Sequence, residues 1–506
     1  MDGLQIFFGI LGVMLLILVI FDLTQRKHAI LRNFPLIGHF RYLLEMIGPE
    51  LRQYIVTNND EERPFSRDQR RWVYASSKKQ NNYFGFGTDN DLERSSGYII
   101  IKHAAFPVDD HAVDAPPQDQ SHPLACAKVL GGARKRTKAF RPNSVVNISA
   151  MSFGSLSANA VAAINRGCQL AGCLHNTGEG GVSAHHLHGG ELILQIGTGY
   201  FGCRDARGQF SLEALLESCS RHPVRAIEIK LSQGAKPGLG GVLPATKVTP
   251  EIARIRGVTV GKNCISPSRH TAFSDADSLL DFVELLAERT GLPVGIKSAV
   301  GESGFWVNLT DLMQTTGRAV DFVTIDGGEG GTGAAPLVFS DHVAFPFKVG
   351  FVRVYQEFIR RGLHHQTVFI GSGRLGFPED ALLAFALGCD MINVAREAML
   401  SIGCIQAQRC HTGHCPAGIA TQSKWLMRGL DPTLKAARLA NYVVSLRKEL
   451  LNLSHACGHT HPGLVTPEQI EILGDQFNST SAAELFRTTS HADWGLPSPE
   501  DCETIR

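Results

Sequence analysis

From residue 145 onward the chain repeats one unit: a short apolar run, a Gly-rich or polar loop, then a helix-like stretch. Eight runs occur, VNIS, LHNT, LILQI, AIEIK, VGIKS, FVTID, VFIGS and INVA, starting at residues 146, 174, 192, 226, 294, 322, 368 and 392. Amphipathic segments such as SDADSLLDFVELLAERTG and PEDALLAFALGC lie between them. Parallel strands need a crossover connection, usually a helix, so the alternation predicts a parallel α/β sheet. Eight repeats predict closure into a (β/α)8 TIM barrel, whose chemistry sits on the loops that follow the strands.

The N-terminal part is of another kind. Leu4 to Phe21 is eighteen residues without a charge, long enough to span a bilayer as a helix. Asp2 gives no basic region of the kind that opens a signal peptide, and Arg26, Lys27 and Arg32 follow the apolar run. By the positive-inside tendency they hold the rest of the chain in the cytoplasm. The expectation is a single-pass protein of the cell (inner) membrane. Its expected layout is an anchor over 1–25, a helical and irregular lead-in over 26–110, the barrel over 111–425 and a C-terminal helical extension over 426–506. The Pro/Asp-rich stretch 107–123 marks the boundary before the barrel. Formal net charge is +1, so no extended nucleic-acid surface is expected, and the basic run Arg134 to Lys138 reads as a solvated loop. The twelve cysteines are scattered and read mostly as buried thiols in a reducing compartment.

Chemistry-bearing residues gather on the predicted loops. GSGRLG, at 371–376, ends the seventh run, and Pro378 then opens a helix. Loops after strands seven and eight of such barrels commonly cradle a phosphate, which points to Gly371, Ser372, Gly373 and Arg374, completed by Ala395 and Arg396. GTGYFG, at 197–202, lacks a dinucleotide-binding context and reads as a tight turn. The glycine loop 327–336, with Gly331, Thr332 and Gly333, is placed to close over a ligand. Lys230, Gln233 and Lys236 lie three residues apart at one strand end and suit a dicarboxylate or a flavin carbonyl, unless they are plain surface lysines. Arg256 and Ser274 lie on the next long connection, and Lys297 ends the fifth run, where a cation would stabilise a reduced flavin. SHACGHTHP, around Cys457, has no recognisable ligand spacing and reads as a loop between helices.

Cys404, Cys410 and Cys415 form a Cys-x5-Cys-x4-Cys pattern. A disulfide is disfavoured in a cytoplasmic domain. Zinc would need His411 or His414 as a fourth ligand. Thiolates without a CxxC pair, followed by Pro416, suit an iron–sulfur cluster better, and three ligands suit the 3Fe–4S form. Such a cluster beside a flavin would make an electron relay.

Six motifs carry a family resemblance: ISAMSFGSLSANA, NTGEGG, EIKLSQGAKPGLGG, ISPS, GGTGAAP and CIQAQRCHTGHCPAGIATQ. They follow one another as in the FMN-binding synthase domain of glutamate synthases, over roughly residues 120 to 425. The chain resembles the stand-alone, membrane-anchored members, the FMN-binding glutamate synthase family proteins. The resemblance implies a (β/α)8 barrel with FMN and a 3Fe–4S cluster. It also implies an oxidoreductase acting on CH–NH2 groups, which reduces 2-iminoglutarate, formed from 2-oxoglutarate and ammonia, to L-glutamate. By motif position Cys404, Cys410 and Cys415 resemble the cluster ligands. Gln233, Lys236, Arg256 and Ser274 resemble the residues that hold 2-oxoglutarate, and Lys230, Gln233 and Lys236 make up the expected catalytic group. Lys230, Gln195 and Lys297 resemble flavin contacts, and Ala150, Met151 and Ser152 the segment under the ring.

Four departures qualify it. Met1-Asp2 and an apolar run stand where full-length members carry a glutaminase domain, so a separate glutaminase or free ammonia is expected. Ala276 stands where an acidic residue is usual, and NVARE replaces a Gly-rich phosphate loop. No dinucleotide-domain pattern is visible, so an external electron donor or acceptor is implied. Two other functions compete. One is a flavin-dependent dehydrogenase of another small amino, imino or hydroxy acid that passes electrons to a membrane carrier. The other is a non-catalytic flavin electron-transfer protein.

Overall fold

The computed structural model describes residues 3–25, 29–56, 62–83, 85–93, 95–109, 121–475 and 477–486. Arg26, Lys27, the centre of the Pro/Asp-rich connector and the tail after residue 486 lie outside the described residues. The chain forms two units, Met1–Arg70 and Arg71–Arg506.

In the first unit, α1 (Gly3–Thr24) is 22 residues long with a mean hydropathy of 2.9, and none of its apolar window is buried by protein. It is long and apolar enough to cross a membrane. After a short helix, Ala29–Asn33, comes α2 (Ile37–Leu51).

The second unit is the barrel. Its strands are β1 (Val146–Ile148), β2 (His175–Asn176), β3 (Leu192–Ile196), β4 (Val224–Lys230), β5 (Val294–Ser298), β6 (Phe322–Asp326), β7 (Val368–Ser372) and β8 (Met391–Val394). They close in sequence order, β8 pairing with β1, and every pairing is parallel. Each expected run is thus a strand of the barrel. Helices cover the outside and side chains fill the inside, so every residue of β3, β5, β6 and β7 is buried. One end of the interior is closed by Leu130, Phe140, Leu174, Phe322 and Met391.

The helices that position the site are α3 (Ala158–Ala171), α4 (Pro250–Arg256), α5 (Ala276–Thr290), α6 (Phe347–Arg360), α7 (Pro378–Ala386), α8 (Arg396–Ser401) and α9 (Pro432–Ala456). Their boundaries are written locally. Ser157 caps α3 by accepting from the Ala160 N–H, and Thr249 caps α4 with Pro250 in its first turn. Gly172 and Gly257 end those two helices in the left-handed conformation. α9 lies against α3 at Gly167, where an added Cβ would come within 2.7 Å of Leu439.

Two features depart from the sequence reading. Arg136, expected on a solvated loop, bridges Glu284 at 2.6 Å and buried Asp321 at 3.0 Å, tying the chain before β1 to α5 and to the start of β6. Ile99–Ile101 pairs antiparallel with Ile470–Leu473, so the lead-in and the C-terminal extension share a small sheet that local patterning does not reveal.

Candidate active site at the barrel mouth

Alternate residues of a barrel strand point inward, so Glu228 and Lys230 of β4 stack one above the other. Glu228 is fully buried. It accepts hydrogen bonds from Asn176 and Gln195 on one oxygen and from Thr324 on the other, each at 2.7 Å. Those three donors satisfy a carboxylate that burial would otherwise penalise, and they fix the Gln195 amide. A layer higher, Lys230 lies opposite Lys297 of β5 in register. Lys230 reaches Glu179 at 3.2 Å and donates to the side-chain amide oxygen of Gln233, Oε1, at 2.9 Å. Lys297 pairs with Asp326 at 3.5 Å, and Asp326 also accepts from Ser372 at 2.8 Å and from the Gly234 N–H at 2.9 Å.

Glu179, from NTGEGG after β2, is the centre of the upper layer. Burial pushes its pKa up, but Lys230, Arg256 and Lys236 together outweigh burial and hold it below the usual carboxylate value. It is therefore ionised. Lys236 is buried, donates to the Ala334 carbonyl at 3.1 Å, and has its pKa lowered by burial and by Lys230, with Glu179 opposing. Arg256 donates to the Ser152 hydroxyl at 3.1 Å and the Phe153 carbonyl at 3.0 Å, and its buried Nε has no partner. Three cations thus surround one carboxylate. Glycine is required where loops meet: a Cβ on Gly234 would lie 1.7 Å from the Gly327 carbonyl, and one on Gly241 would lie 2.0 Å from Glu179. A second brace fixes the end of β4. A carbonyl can only accept, so His270 donates from Nε2 to Lys230 O at 2.9 Å, leaving Nδ1 to accept from Tyr200 Oη at 3.1 Å.

Beside this layer, Gly373 takes φ 134° and Arg374 φ 55° directly after β7. Ala395 leads into α8, whose first residue, Arg396, donates to the Glu329 carbonyl. Burial lowers the Arg396 pKa and Arg374 lowers it further, while neighbouring carboxylates oppose them. Gly331 lies against Arg396, where a Cβ would meet its Cδ at 2.7 Å, so the 327–336 loop reaches β8. Thr332 turns back to the Ala334 N–H, and Gly333 faces open space. Gly371 packs against Leu375 and Phe347. Met151 is buried, and Ser152 links the Ala150–Ser152 segment to Arg256.

Ser274 is not brought to this cluster. It is exposed, and its N–H donates to Ser278 in the cap of α5, which opens at buried Ala276. GTGYFG forms the expected tight turn, with Tyr200 N–H donating to Gly197 O at 3.0 Å. The histidines around Cys457 serve structure: His459 meets Gln469 and His461 meets the Ala125 carbonyl.

The iron–sulfur expectation is corrected. Among the described residues, no group of three or more His, Cys, Asp or Glu side chains could hold a metal ion. Cys404 Sγ accepts from the Gln406 N–H at 3.4 Å, and its carbonyl accepts from the Tyr74 hydroxyl at 2.7 Å. Gln406 and Gln408 take left-handed backbone, φ 58° and 54°, in the stretch that separates Cys404 from Cys410. Burial, and then Cys415, push the Cys410 thiol up, whereas a soft metal needs a thiolate. Cys404, Cys410 and Cys415 therefore do not make the expected 3Fe–4S ligand set, and no flavin–cluster relay follows. None of the three is disulfide-bonded.

Sequence reasoning missed Glu179, Glu228, Asp326 and His270 as individual residues. A charged residue inside an otherwise apolar strand, such as Glu228 in AIEIK, was the available signal.

The fold and this layer define a class: a (β/α)8 barrel whose mouth carries a surplus of buried cations suited to a small anion. Comparisons with known proteins are narrower. The profile described as "Conserved region in glutamate synthase" matches residues 118–460. The "Glutamate synthase large subunit-like protein YerD" of Bacillus subtilis is 39% identical over 490 residues, covering 90% of this chain and 92% of that protein. The "Archaeal glutamate synthase (NADPH)" of Methanocaldococcus jannaschii is 36% identical over 338 residues, covering 65% of this chain and 63% of its own length. Among solved structures, a flavocytochrome b2 mutant with pyruvate bound is 14% identical at a TM-score of 0.43, covering 84% of this chain and 91% of that one. The chain belongs to the glutamate synthase family, a family of oxidoreductases.

Proposed function

We propose that this chain is an FMN-dependent oxidoreductase, anchored to a membrane by α1, that reduces 2-iminoglutarate to L-glutamate. The observation that carries the reading is the charge count at the barrel mouth. Among the described residues, the leading positive charges acting on Glu179 are Lys230, Arg256 and Lys236. Three cations against one carboxylate leave two positive charges, which match the two carboxylates of 2-oxoglutarate and of its imine.

The residues after β7 and β8 fit the phosphate of FMN. Arg374 adds to the electrostatic cost of Arg396 beside a glycine backbone, and a phosphate dianion would relieve it. By their place after strands seven and eight of a (β/α)8 barrel, Gly371, Ser372, Gly373, Arg374, Ala395 and Arg396 would hold that phosphate under the 331–333 loop. Ala150, Met151, Ser152, Gln195, Lys230 and Lys297 would hold the ring. When bound, FMN would supply the hydride that the imine carbon receives.

The protein's own part is binding and proton placement. In the overall change 2-oxoglutarate and ammonia lose water to give the imine, whose carbon then gains a hydride and whose nitrogen gains a proton. Lys236 and Arg256, with the Gln233 amide, bind the carboxylates. Glu179 is ionised and so is not the acid. Lys236, whose pKa is lowered by burial and by Lys230, is placed to donate its proton. Electrons come from an external donor, ammonia comes free or from a separate glutaminase, and the barrel lies on the cytoplasmic side. The chain divides into an anchor over 1–25, a lead-in over 26–110, the barrel over 111–425 and a C-terminal extension over 426–506.

The test is anaerobic. The purified flavoprotein is reduced chemically and given 2-oxoglutarate with ammonium; return of the yellow colour with matching L-glutamate is expected. A flavin that stays reduced, with no glutamate formed, overturns the proposal. Reoxidation by a different oxo or imino acid alone would reassign the substrate.

A further inference from the structure

The first unit carries an apolar surface that α1 does not account for. α2 exposes Ile37, Phe40, Leu43, Leu44, Ile47 and Leu51, with Ile37 76% and Phe40 62% exposed. At 3.6 residues per turn these positions span about a third of the helix circumference. Off this stripe lie Arg41, paired with Glu45 at 2.7 Å, and one exposed apolar residue, Met46. The surface continues past the helix through Ile55 and Val56, 72% and 73% exposed. An apolar stripe this long on a short helix needs a covering phase.

The start of α2 is fixed to the end of α1. Asp22 is fully buried, and its carboxylate accepts from the Leu36 N–H at 3.1 Å and from His39 Nε2 at 2.9 Å. Leu36 is held there with φ 63°, and Gly38 lets α2 close on Leu31, where a Cβ would stand 3.0 Å from the leucine side chain. The 22 residues of α1, at a rise of about 1.5 Å each, match a hydrocarbon core of about 30 Å. If α1 spans, Asp22 sits where the apolar core ends, and the latch sets the first turn of α2 at that same level. We propose that α2 and the turn after it lie in the bilayer interface as a second membrane contact, with Phe40 and Leu44 among the acyl chains and the Arg41–Glu45 pair toward water. The proposal rests on the reading of α1 as an anchor and adds a lipid-facing role for the apolar face of α2 and for Ile55 and Val56.

Single tryptophans in the full chain, reconstituted into phosphatidylcholine–phosphatidylglycerol vesicles, test it. The probes are Phe40→Trp and Leu44→Trp on the apolar face, Glu45→Trp on the polar face and Ile17→Trp inside α1, each read as added emission over the unsubstituted chain. With lipids brominated near the glycerol end of the acyl chains, probes 40 and 44 are expected to lose emission about two-fold while probe 45 does not, as an insertion of about 5–10 Å requires. Probe 17 is expected to be quenched by brominated lipid and shielded from aqueous iodide. Quenching of probe 17 with probes 40 and 44 quenched only by aqueous iodide overturns the interfacial helix and leaves the anchor standing. Probes 40 and 44 shielded from both quenchers also overturn it, because protein would then cover the face. If probe 17 is not quenched by lipid, the anchor and this inference fail together.

Discussion

At the scale of single residues, the upper layer of the barrel mouth works by unequal charge. Lys236 gives up a proton more readily than an ordinary lysine because it is buried beside Lys230, and Glu179 limits that effect. Replacing Lys236 by Ala removes a charge-assisted contact of about 1.5–3 kcal/mol, so 2-oxoglutarate affinity should fall about 10- to 100-fold. An unchanged dissociation constant in flavin-perturbation titrations would move the substrate elsewhere. Glu179→Gln removes the group that raises the Lys236 pKa, so the alkaline limb of the pH–rate profile should move to lower pH. A limb that stays in place would mean that Lys236 is not the acid. His175 tests burial rather than function. Burial lowers its pKa to about 3, against an ordinary 6.5. As pH drops from 6.5 toward 3 the unfolded chain takes a proton that the folded chain refuses, so stability is lost at about 1.4 kcal/mol per pH unit. His175→Phe should flatten urea midpoints across that window by this amount; an unchanged slope contradicts the assignment.

Elements show how glycine sets the distance between loops. The loop after β4 crosses the loop after β6 at Gly234, and a methyl there would overlap the Gly327 carbonyl. Gly234→Ala should cost about 1–3 kcal/mol in thermal or urea unfolding, whereas Gly333→Ala, which meets nothing within 4 Å, should be neutral. Equal stability of the two variants would show that the loops do not touch. The strands themselves were legible because a run such as FVTID, followed by a glycine loop, declares a buried strand and its end without help from the rest of the chain. The Ile99–Ile101 strand was not legible. Its partner lies about 370 residues away, and no local period encodes such a pairing.

For the whole molecule, α1 and the barrel impose different solvents on one chain. A spanning α1 predicts that the protein stays in the membrane pellet through an alkaline carbonate wash and leaves only with detergent. Recovery in the carbonate supernatant would contradict the anchor. The sequence by itself determined the order of the eight strands, the loops that bear lysine and arginine, and the apolar N-terminal helix, because each is a local pattern of period, length or turn chemistry. Tertiary structure alone decided which of those side chains meet. Glu179, on the loop after β2, meets Lys230 at the end of β4, and Arg136 finds two carboxylates where a basic run had promised only solvent. Three cysteines close in sequence do not converge, because the backbone between them and the fate of each thiol depend on neighbours from elsewhere in the fold. Spacing fixes what a segment can become; the distances across the closed barrel fix which charges share a site.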